Sequence, residues 1–155
     1  MSVLTVSKKI AEDTLLCRFF QGTLNELNID IENKLIKEDE WVFGLVTPPQ
    51  VEDNTEGDNP NITTTYPFRA YVVKRIAQPT NDYRTEDVQP VIDRALAMAR
   101  KFVHEFNDEE FVIHAVKRVT YPSLYGQFDL HLFGVGINCD FELEEGLTGC
   151  EPLPS

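Results

Sequence analysis

Three histidines (His104, His114, His131) and three cysteines (Cys17, Cys139, Cys150) are the side chains here best suited to metal ligation or nucleophilic catalysis. His114 and His131 fall on segments that read as neighbouring strands, and a metal ion between them would need a third ligand on the same face, such as Asp129. No ligand spacing accompanies the pair, so ordinary strand histidines are the simpler reading. Cys139 alternates onto the apolar side of its segment, and a buried thiol without a positive neighbour stays protonated and inert. The cysteines are odd in number and lack CxxC spacing, which suggests neither a disulfide framework nor a zinc site and fits a reducing compartment. Asp53, Thr55 and Gly57 faintly imitate a calcium loop, but the twelfth position is Thr64, which cannot give a bidentate carboxylate. Glu142, Glu144 and Glu145 flank Phe141 and Leu143, as on the solvated face of a strand. These residues point to no catalytic, cofactor or metal site.

Two sets of residues suit binding better than catalysis. Tyr66, Tyr71, Tyr121 and Tyr125, with Phe68, either anchor an interface or pack a core. The basic pairs Lys74–Arg75 and Lys117–Arg118 each follow an apolar strand segment and could mark a common end of a sheet. They would complement acidic residues of a neighbouring copy, with Glu52, Asp53, Glu56 and Asp58 as the candidates; solvated strand ends are the alternative.

The elements that must carry these residues follow from periodicity. In residues 127–144, Phe133, Val135, Ile137, Cys139, Phe141 and Leu143 alternate with Gly134, Gly136, Asn138, Asp140, Glu142 and Glu144, which predicts a strand with one buried and one wet face. Phe128, Leu130 and Leu132 alternate in the opposite phase, so a bulge is expected between Leu132 and Phe133. Val6, Ile10, Leu16, Phe19, Phe20, Leu24 and Leu27 recur at helical steps and predict a first amphipathic helix over 3–27. Residues 41–46 read as a strand stopped by Pro48 and Pro49, and residues 62–76 as a second strand that pairs with it as a long-looped hairpin. Between them, within an acidic segment over 48–62, residues 50–61 have almost nothing to bury and read as a solvated loop. A second helix starts at an Asp87 cap, with Pro90 at the third position, and buries Val91, Ile92, Ala95, Leu96, Ala99, Phe102, Val103 and Phe106. Residues 111–120 read as a third strand, 121–126 as a turn and 146–155 as an irregular tail. The expected fold is α+β: an antiparallel sheet, or a mixed one, of about four strands on two helices, in the order α-β-β-α-β-β.

Composition bounds the rest. A chain of 155 residues with 42% hydrophobic content suits one domain, 1–155. Its 26 acidic and 14 basic residues leave a formal charge of −12, a surface that repels phosphate backbones and anionic lipid, although a ring enclosing DNA can present an acidic lumen. Lys8, Lys9, Glu12, Asp13 and Arg18 interrupt any signal-peptide core, and no apolar run approaches a membrane span, so a cytoplasmic protein with no membrane partner is expected.

The segments "WVFGLVTPP", "YPFRAYVVKRI", "DVQPVIDRALAMARKFV" and "LFGVGINCDFEL", in that order behind a leading amphipathic helix and followed by Cys150, resemble phage tail proteins encoded in Bacteroidetes phages and prophages. The order of elements is similar to the tail-terminator and neck family. The resemblance spans roughly 3–150 and rests on element order, without an invariant motif. It implies a non-enzymatic virion subunit, made in the host bacterial cytoplasm, that forms a homo-oligomeric ring and joins the tail tube to the neck or portal side of the head. DNA would pass through the lumen without sequence-specific contacts. Another virion adaptor or ring protein, such as one at a capsid vertex, and a cytoplasmic α+β binding module or small enzyme with a pocket under residues 50–61 are the alternatives.

Overall fold

The computed structural model describes residues 2–32, 40–54, 63–76, 85–114, 116–127 and 132–144. Among them are three α-helices and seven strands: α1 (Val3–Lys9), β1 (Arg18–Gln21), α2 (Leu24–Glu32), β2 (Trp41–Val46), β3 (Glu52–Asn54), β4 (Thr63–Arg75), α3 (Thr85–Asn107), β5 (Val112–His114), β6 (Ser123–Gln127) and β7 (Leu132–Glu144). The strands form one sheet in the order β1-β2-β4-β7-β5, with β3 added beside β4 and β6 beside β7. The antiparallel pairing of residues 41–46 with β4 is present, Trp41 opposite Lys74 and Val46 opposite Arg69. The four-strand, two-helix sandwich is not. The sheet is mixed, because β1 runs parallel to β2, and it gains β1, β3 and β6 from segments read as helix, loop and turn.

A helix through residue 27 fails for a local reason. After α1 the chain makes one π-helical turn, Ile10–Thr14, and closes it with hydrogen bonds from Leu15 N–H to the Ile10 carbonyl (3.0 Å) and from Cys17 N–H to the Ala11 carbonyl (2.8 Å). The second bond reaches one residue farther back than the 6→1 bond of a Schellman motif, as the wider π turn requires, and Leu16 takes the left-handed position at φ 56°. Helical spacing could not separate these elements because Phe19 and Phe20 satisfy either reading. In β1 they pack on opposite sides of the sheet, Phe19 against the main core and Phe20 against a second cluster. The overlooked signal is a capping box that starts α2: Glu26 N–H donates to Thr23 Oγ1 (3.3 Å) and Thr23 N–H to Glu26 Oε1 (3.5 Å).

The backbone of the sheet is the thirteen-residue ladder of β4 and β7, unbroken from Thr63 opposite Glu144 to Arg75 opposite Leu132. The expected bulge between Leu132 and Phe133 is therefore absent from this ladder. A register shift sits instead in β6, where Leu124 opposes Gly134 but Gln127 opposes Leu132, next to Gly126 at φ 55°. The phase change in the sequence has another cause. Leu132 is buried on the far face with Leu27, Val42, Tyr71 and Val73, so its own change of side follows from a cover on that face; Phe128 and Leu130 fall outside the described residues.

The near face is dry from Thr64 to Val72 along β4 and from Phe133 to Leu143 along β7. α3 lays Ile92, Ala95, Ala99, Phe102, Val103 and Phe106 of the expected stripe on it, together with Val88 and Met98, which the stripe did not include, while Val91 and Leu96 are only partly buried; the helix starts at Thr85, not at an Asp87 cap, and holds Pro90 inside it. Phe68 is the hub, its ring 5.4 Å from Phe102, 5.6 Å from Phe106 and 5.4 Å from Phe141. Each buried aromatic side chain of this kind contributes about 1.5–3 kcal/mol through area removed from water.

Candidate functional site

Residues paired directly across antiparallel strands share a face, so the ladder dictates what looks away from α3. On that far face, Tyr71 with Gly136, Val73 with Gly134 and Arg75 with Leu132 make the covered half. The other half carries Arg69 with Asn138, Pro67 with Asp140, Thr65 with Glu142, and Thr63 with Glu144. β3 widens this half, placing Glu52 beside Thr65 and Asn54 beside Thr63. The expected wet face of β7 is thus wet only from Asn138 onward: Gly134 and Gly136 are buried, the first against the Val72 carbonyl and the second under Pro122.

Arg69 is fixed in the open half. Its Nη1 donates to the carbonyls of Phe68 (2.8 Å) and Cys139 (2.9 Å) and stands 3.6 Å from Asp140 Oδ1. Beyond β7, the strand order is continued by residues 116–120, held to it where Thr120 bridges Asn138. Between this segment and the sheet lies a groove of about 580 Å³ whose lining includes Arg69, Lys117, Arg118, Asp140 and Glu142. Its walls carry three cations and two carboxylates, a locally positive balance on a chain of charge −12. On the other side of the patch, Thr64 Oγ1 donates to Asp53 (2.6 Å), and Asn54 Nδ2 donates to Thr63 (3.2 Å) and Thr65 (3.1 Å). These bonds tie the short β3 to β4 through side chains as well as backbone.

No family model matches this chain, and no curated protein does.

The candidates are distributed as follows. Lys117 and Arg118 are exposed and line the groove. Lys74 and Arg75 lie at the opposite end of the ladder, facing Phe133 and Leu132, with Lys74 Nζ 5.7 Å over the Trp41 ring. The two basic pairs do not share an end of the sheet. They are separated along β7 by at least the five residues from Phe133 to Asn138, on the order of 17 Å. Glu52 and Asp53 lie together on β3, whereas Glu56 and Asp58 fall outside the described residues. Arg69 was missed; its only signal is a charge set among the β-prone residues of "YPFRAYVV".

His104 is an exposed residue of α3, 3.8 Å from Asp108, and His114 lies in β5 opposite Glu142. Asp129, His131 and Cys150 fall outside the described residues, among which no three His, Cys, Asp or Glu side chains converge to hold a metal ion. Cys139 packs in the near-face core, where burial pushes its thiol up to about 12 against the pull of Arg69 and with a further push from Asp140. Cys17 is likewise pushed up to about 12 by burial, opposed by Arg94. Tyr66, Phe68 and Tyr71 belong to buried clusters, leaving Tyr125 as the exposed ring of the aromatic set. No described helix is long and apolar enough to cross a membrane.

Proposed function

We propose that this chain is a structural virion subunit of a tailed phage, of the tail-terminator or head–tail neck kind. In this reading it forms a homo-oligomeric ring around the DNA passage and joins the tail tube to the neck or portal side of the head. The observation that supports assembly is the half-open sheet face, rigid because it is backed by an aromatic core, and bounded by an acidic strand on one side and a basic groove on the other. Surfaces that combine a stiff scaffold with opposite charges suit repeated association of copies. The assignment to a phage tail rests on the resemblance of the quoted segments, and the charge of −12 suits a lumen through which DNA slides without adhering.

The rival reading, a binding module with a Tyr- and His-lined pocket under residues 50–61, gains nothing from the groove. That groove lies between residues 116–120 and β7, with Arg69 reaching it from β4, and among the described residues its lining includes no Tyr or His. Native mass spectrometry and negative-stain microscopy of the purified protein, alone and mixed with a tail-tube subunit, test the proposal. Rings of one copy number that cap tube ends are expected; monomer alone in every mixture would overturn it.

A further inference from the structure

We infer that the β3 edge of one copy docks head to tail against the Arg69–Lys117–Arg118 groove of the next copy. This inference rests on reading the chain as a self-assembling subunit, and it names the surfaces that do it. The two surfaces flank one patch of sheet: β3, β4, β7 and the segment at residues 116–120 follow one another, so about 14 Å, three strand spacings, separate the acidic margin from the basic one.

The acidic margin is prepared for a partner. β3 pairs with β4 alone among the described residues, its three residues are exposed, and Glu52 makes no ion pair with another described residue. The Asp53–Thr64 and Asn54–Thr63/Thr65 bonds hold the strand in place before any contact, which lowers the ordering cost of docking. The basic margin is prepared as well. Arg69 is locked by two carbonyls and balanced by Asp140, while Lys117 and Arg118 project without an ion pair to another described residue.

Charge selects the occupant. An edge-to-edge two-fold contact would bring β3 against β3, or groove against groove, and set like charges opposite each other, whereas a two-fold contact of the whole open patch would match acid with base but close at two copies. A head-to-tail contact matches acid with base at every interface and, if the rotation closes, yields a ring. A free phosphate or nucleic acid strand in the groove would also meet Asp140 and Glu142, which an acidic strand carrying its own hydrogen-bonding edge tolerates better.

The test is charge exchange, read by native mass spectrometry at low salt. Glu52→Lys spares the Asp53–Thr64 bond and reverses the one charge that β3 sets in the far-face rows, making it basic like the groove; Lys117→Glu with Arg118→Glu makes the groove acidic like Glu52. Each variant alone should associate at least tenfold more weakly than wild type. Mixed in equal amounts the two should form assemblies of even copy number, and a chain carrying all three changes should assemble as wild type does. If either edge variant assembles like wild type, or if folded edge variants stay monomeric when mixed, the surfaces are wrong and the ring reading stands. If wild type itself is only ever monomeric, both fall.

Discussion

Leu132 and Glu144 end the same strand on the same face of the sheet, yet one is 1% exposed under the second apolar cluster and the other faces solvent. The same period-two alternation runs through both ends. What differs is the neighbour: β1, α2 and β6 bring Phe20, Leu24, Leu27 and Leu124 over the rows from Arg75 to Tyr71, and this cluster does not extend over the rows from Arg69 to Thr63. The covered half has accordingly shed its side chains, with Gly134 and Gly136 admitting close approach, while the open half has gathered Asn138, Asp140, Glu142 and Glu144. One half of the face is therefore built for folding and the other is available for contact.

The comparison breaks most visibly at Gly134. A Cβ there would fall 1.8 Å from the Val72 carbonyl oxygen, so Gly134→Ala must displace backbone, and we expect a loss of about 3 kcal/mol or more in urea melts. Removing the box that starts the cover is milder: Thr23→Ala should lower stability by about 1 kcal/mol, with Leu27 and Leu132 losing their anchor rather than the open rows.

A smaller effect separates the near face from both halves of the far face. The Cys17 and Cys139 thiols ionise near 12 in the folded chain against an ordinary value of 9, so the protonated form is favoured by folding. The stability this contributes is fully present below pH 9 and declines as pH rises from 9 toward 12. Melts over that range should show it, and Cys→Ala at both positions should flatten the slope while reaction with thiol reagents at pH 8 stays slow for both residues in the wild-type fold. The smallest change belongs to the open half: Glu144→Gln should move stability by no more than about 0.5 kcal/mol, because that side chain is exposed.

Much of the near face was legible in the chain because single-sided burial leaves a clean period. The stripe of α3 and the set Phe133, Val135, Ile137, Cys139, Phe141 and Leu143 needed no tertiary knowledge. Legibility failed where both faces pack. Phe19 and Phe20 imitate a helix because a strand half-buried on both sides has no alternation to show, and Leu132 imitates a bulge because its far face is covered too. β3 could not be seen at all, since Glu52, Asp53 and Asn54 bury nothing and are strand only through their pairing with Thr63, Thr64 and Thr65. The candidate site was half legible: residue type singled out Lys117, Arg118, Glu52 and Asp53, but only the register across β4 and β7 sets Glu52 and the Lys117–Arg118 groove on opposite margins of one patch, adds Arg69 to the basic one and turns Asp53 to the other face, toward Thr64.

The separation of a folding half from a contact half is tested most directly by amide hydrogen exchange as a function of protein concentration. As assembled mass grows, the amides of residues 52–54 and 116–118 should gain protection while those of residues 71–75 and 132–136 keep the slow exchange they have at high dilution. Equal changes in both regions, or none in residues 52–54 and 116–118 once assemblies have formed, would contradict the account.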